Sequence, residues 1–116
     1  MTSQGTASGR FTRAVQSGHL FAAEMAAREM GHLSLSNALS LCILYRREQD
    51  PRFDRAAVRW VRRVQLEHSL RRQEVDLLRA AMAALGSRFD AVALNAPLEA
   101  CRELRLVPPT LEEYPR

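Results

Sequence analysis

The stretch LSLSNALSLCILY, residues 33–45, decides the fold class of this chain. Leu33, Leu35, Leu39, Leu41, Ile43 and Tyr45 all fall on odd positions, the alternation of a half-buried strand. Yet the intervening Ala38, Cys42 and Leu44 are apolar too, and Ser34 carries a side chain suited to capping a helix N-terminus. No other stretch offers a convincing partner strand, and a lone strand leaves its amides and carbonyls unpaired. The segment is therefore read as a helix over about residues 35–48. Being apolar nearly all round, it should be the central and most buried one.

Helical patterns extend in both directions from it. Upstream, MTSQGTAS, residues 1–8, holds small polar residues without an apolar period and reads as a disordered leader. A short helix over 10–17 places Phe11, Ala14 and Val15 at helical spacing and stops at Gly18. A second, over 19–30, is rich in Ala and Met, carries Glu24 and Arg28 four apart, and ends at Gly31. Downstream, Asp50 reads as an N-cap and Pro51 as the first helical residue of a helix reaching Glu67. A fifth helix takes Ser69 as its cap and stops at Gly86. A sixth opens after Ser87; Pro97 is expected to break it, with Asn95 capping a last short helix through Leu104. Residues 106–116 contain three prolines and read as an extended tail.

The helices pair as 10–17 with 19–30, 35–48 with 51–67, and 70–85 with 88–104, each joined by a short turn. The expected fold is all-α, about three antiparallel hairpins stacked as a short solenoid or bundle over residues 9–105. A faint textual echo accompanies the period: PRFD at 51–54 and SRFD at 87–90 lie 36 residues apart. The segment LSLSNALSLCILYRREQDPRFDRAAVRW, residues 33–60, resembles the tetratricopeptide-type hairpin, with Tyr45 late in one helix and Ala56 and Ala57 early in the next. It departs from that pattern in a longer turn, and in Ser40 or Cys42 where glycine is expected at the helix contact. The same stretch is similar to small all-helical proteins of uncharacterised function encoded in GC-rich actinobacterial genomes. The resemblance implies a helical-hairpin fold and brings no activity, cofactor or site residue with it.

Composition narrows function by exclusion. With 116 residues, 47% hydrophobic and 26% charged, the chain suits one globular domain. The longest apolar run, ALSLCILY at 38–45, is far shorter than the roughly 20 residues a bilayer span needs. No secretory signal is read at the start, and two cysteines make neither a disulfide scaffold nor a zinc motif, so a reducing cytoplasm is expected. All 17 basic residues are arginine. Absence of lysine removes Schiff-base and phosphate-loop lysines, and codon bias in a GC-rich genome is its simplest cause. His19, His32 and His68 lack ligand spacing. Cys42 reads as a core residue, Cys101 as more exposed, and Met25, Met30 and Met82 as core packing. No nucleophile elbow, glycine-rich phosphate loop or histidine–carboxylate motif occurs, so neither catalysis nor a cofactor is expected.

One feature carries a functional candidate. Charge is concentrated at residues 50–72, where seven arginines face three acids, a local +4 equal to the net charge of the whole chain. On a helical wheel started at Arg52, Phe53, Ala57, Trp60 and Val64 gather near ~110°, while Arg52, Arg55, Arg59, Arg62 and Arg63 fill an arc of ~100° centred near ~330°. Like charges three and four apart cost roughly 0.2–0.5 kcal/mol per pair, which burial of Trp60 easily offsets. Three readings stay open at this point. The stripe is a solvated face, or one neutralised by acids such as Glu74 or Asp76; it meets an acidic protein partner; or it meets nucleic-acid phosphates. The last lacks a free aromatic for stacking and any helix-turn-helix or zinc-finger signature. The tail adds Leu111, Glu112, Glu113 and Tyr114, a short docking peptide with the charge to cover the stripe. The expectation is a non-enzymatic interaction or adaptor module, with a phosphate-contacting regulator as the alternative. Self-association is expected through the open ends of so short an array.

Overall fold

Six helices account for almost all of the chain that the computed structural model describes, residues 6–88 and 90–105. They are α1 (Ala7–Ser17), α2 (Leu20–Met30), α3 (Leu35–Arg47), α4 (Phe53–His68), α5 (Arg72–Ser87) and α6 (Ala91–Glu103). No strand occurs among the described residues. The ambiguous stretch is helical: the Ser34 hydroxyl accepts from the Asn37 amide at 3.0 Å and starts α3. Leu39, Ile43 and Leu44 are then completely enclosed, with Ser40, Cys42 and Tyr45 buried beside them. The period-two run of leucines arises because a helix enclosed on most sides needs apolar residues at nearly every position.

Packing is densest within the pairs α1–α2, α3–α4 and α5–α6, and neighbouring pairs meet through α2–α3 and α4–α5. The whole measures 44 × 28 × 23 Å. Gly18 closes the first hairpin in the left-handed region (φ 78°) with the Arg47 guanidinium 3.4 Å from where a Cβ would sit. Polar contacts lock the pairs to each other. Arg46 Nε donates to the Leu85 carbonyl at 2.7 Å, placing a cation on the last turn of α5. Tyr45 Oη donates to Glu24 at 3.0 Å, joining α3 to α2. Trp60, 3% exposed, points into the core and donates its indole N–H to the Leu35 carbonyl at 2.9 Å.

Several local expectations are corrected. Residues 6–8, expected in a disordered leader, belong to α1: Thr6 caps it, its hydroxyl accepting from the Gly9 amide at 2.9 Å, and Ala7 and Ser8 are helical, while residues 1–5 lie outside the described residues. Asp50 does not cap a helix beginning at Pro51. Its carboxylate accepts from the Arg52 amide at 2.8 Å, forming a turn, and α4 proper begins at Phe53. Ser69 ends α4 in a left-handed conformation (φ 50°) instead of starting α5, at whose start the Glu74 carboxylate accepts from the Arg71 amide at 2.8 Å. Pro97 does not break α6, which runs through it. Its side chain is fully buried, in a helix that also gives Ala93, Leu98, Ala100 and Cys101 to the core, burial that a broken helix would forfeit. Asn95, no longer a cap, bonds Glu99 one turn on at 2.9 Å. Cys101 is buried, not exposed, and Met25 faces outward while Met82 is in the core.

Candidate functional site

The site is built on α4. Its inner side buries Phe53, Ala56, Ala57, Trp60, Val61 and Val64, which fixes the rotation of the helix and turns the arginines out. The two end members of the row are neutralised within the fold. Arg52 reaches Glu24 at 2.7 Å and Asp50 at 2.8 Å, and its guanidinium lies 4.8 Å from the centre of the Tyr45 ring. Arg63 pairs with Glu67 at 2.6 Å and also donates to the Leu33 carbonyl and towards His32 Nε2. The expected neutralising acids, Glu74 and Asp76, do not take part, and Glu74 stays with Arg71. Of the three acids that do, Asp50, Glu67 and Glu24, the last bonds Arg52, 28 residues away, rather than Arg28.

Arg55, Arg59 and Arg62 differ. They stand exposed on successive turns and reach no carboxylate among the described residues. Two large apolar side chains share that outer side, Val58 at 60% exposure and Leu66 at 76%. Hollows flank the row. Tyr45, Pro51, Arg52, Asp54, Arg55 and Arg59 border one of about 470 Å³. Between α4 and α5 runs a groove of about 580 Å³ with Phe53, Ala57, Val61, Met82 and Gly86 along its floor and Arg62 and Arg79 on its rim. The sequence reading missed this groove. Its signal is the small residues Ala57 on α4 and Ala83 and Gly86 on α5 that line it, Gly86 lying close against the Phe53 ring, 3.2 Å from where a Cβ would sit.

The electrostatics follow the pairing. Hydrogen bonds from the Arg52 side chain and amide pull the Asp50 carboxyl down to about 2, and the bonds to Asp50 and Glu24 push Arg52 above its ordinary value. Burial, with the bond to Glu24, raises Tyr45 to about 12. Burial also raises the Cys42 thiol to about 12 and that of Cys101 to about 11, so neither thiolate forms near neutrality. Among the described residues, no three His, Cys, Asp or Glu side chains gather where they could hold a metal ion, and no helix is long and apolar enough to cross a membrane. Leu111, Glu112, Glu113 and Tyr114 lie outside the described residues. Comparison with protein-family models, curated proteins and solved structures returns no match for this chain.

Proposed function

We propose that this chain is a non-enzymatic interaction module of the helical-repeat type, working in a reducing cytoplasm and holding an acidic segment of a partner protein against the outer side of α4. One observation carries the reading. Arg55, Arg59 and Arg62 stand together without a carboxylate among the described residues, while the arginines at either end of the row are held by acids. Like charges on consecutive turns oppose the helix they sit on, so their clustering is better explained by what they meet than by what they hold together. Exposed Val58 and Leu66 between them add apolar area, and arginine beside apolar surface is the composition of binding hot spots. Contact with nucleic-acid phosphates is the weaker reading, since Trp60 and Phe53 are buried and leave this face without a stacking aromatic.

The test uses the full chain on immobilised poly-glutamate and on duplex DNA at low and moderate salt. Retention on poly-glutamate that fades with salt and disappears in the Arg55→Gln/Arg59→Gln/Arg62→Gln variant is the expected result. Equal behaviour of the two proteins, or retention on DNA alone, defeats the proposal.

A further inference from the structure

We infer that the groove between α4 and α5 is the receptor for the chain's own acidic end, with Leu111 and Tyr114 in the groove, Glu112 and Glu113 against Arg62 and Arg79, and Arg116 toward Asp54. This rests on the reading of α4 as a receptor for acidic segments and names the segment. The floor of the groove is apolar, and Arg62 and Arg79 on its rim reach no carboxylate among the described residues. Asp54 borders its other end, near Gly86 and Ser87.

Reach, direction and charge order agree. The last described residue, Arg105, follows α6, and Glu103 of α6 shares a hollow with Leu77 of α5. The chain therefore leaves the fold beside the Arg79 end of the groove. Six further residues bring it to Leu111, up to roughly 20 Å away at ~3.3 Å per residue. That is enough to cross one helix, about 10–12 Å across, and enter the groove. From there the sequence LEEYPR places its acids first and Arg116 last. The groove presents Arg79 and Arg62 first and Asp54 last, and Arg62 and Asp54 lie eight residues apart on α4, roughly 12 Å along its axis. The three extended residues from Glu113 to Arg116 span about 10 Å. A tail running the other way would set its acids against Asp54.

The test places a photo-crosslinker, Tyr114→p-benzoylphenylalanine, in the full-length chain. Irradiation of a dilute mixture of light and heavy isotope-labelled chains, followed by mass spectrometry, maps the attachment. The expected product joins position 114 to residues 53–62 of α4 or 79–87 of α5 within one chain. Val58→Glu, on the exposed wall of the groove where the fold tolerates a charge, is expected to abolish it. Attachment elsewhere, attachment only between light and heavy chains, or a yield untouched by Val58→Glu overturns the inference. Poly-glutamate retention of the same proteins separates the two claims. If retention still depends on Arg55, Arg59 and Arg62 while the cross-link is absent, only the tail docking falls. If both are absent, the arginine face falls with it.

Discussion

At the scale of single residues, the structure turns on Trp60 and on the cluster around Arg52. Trp60→Ala should lower unfolding free energy by about 3–5 kcal/mol through lost burial and the cavity left behind. Trp60→Phe keeps most of the packing and loses the bond to the Leu35 carbonyl, for about 1 kcal/mol. Urea titrations should show both as shifts of midpoint at unchanged slope; similar costs for the two would mean that the hydrogen bond, not the packing, dominates. Asp50 predicts a pH dependence. Its folded value of about 2 lies below the ordinary 3.8, so its stabilising effect is complete above about pH 4 and is lost as the pH falls toward 2. Asp50→Asn should flatten that part of the acid limb, and parallel curves for the two proteins would show that the Arg52 pairing carries no stability. The inward tryptophan was legible in the sequence because helical spacing alone assigns it a face. The partner of Arg52 was not. Glu24 has Arg28 one turn away, and only the meeting of α2, α3 and α4 shows that Tyr45 and Arg52 draw it elsewhere.

At the scale of elements, α3 shows where pattern reading needs a physical arbiter. Its alternating leucines match a strand, and what excluded that was the missing partner together with Ser34 at the right place to cap. Ser34→Ala should cost about 1 kcal/mol by removing the acceptor for the Asn37 amide. Thermal unfolding would register it as a lower midpoint, and an unchanged midpoint would mean that water replaces the cap fully. Pairing into hairpins was legible because turn residues and periodicity are local. Pro97 and Asn95 misled for the converse reason. A proline's missing amide argues for a break, and burial of its ring inside α6 is a tertiary contact that no local rule contains. The groove between α4 and α5 escaped on the same ground, since small residues on two helices make a gap only once the helices face each other.

At the scale of the whole molecule, charge and stability pull against each other on α4. Arg55 and Arg59, Arg59 and Arg62, and Arg59 and Arg63 are like-charged pairs at helical spacing, each unfavourable by roughly 0.2–0.5 kcal/mol. Arg52 and Arg55 form a fourth, softened by the carboxylates on Arg52. Were the central arginines structural, replacing all three by glutamine would destabilise the fold. Because they face solvent without carboxylates among the described residues, the opposite sign follows. The triple variant, its net charge lowered from +4 by three, should melt at a slightly higher temperature than the parent at low ionic strength. The gain should be about 1 kcal/mol as the sum of the relieved pairs. Repulsion between exposed charges is screened over about 10 Å at 0.1 M salt and about 3 Å at 1 M, so the difference should nearly vanish in high salt. Calorimetry of both proteins across that range reads the sign directly. A variant less stable than the parent at every salt concentration would mean that the guanidinium row supports the fold, and would remove the reason for assigning it a partner.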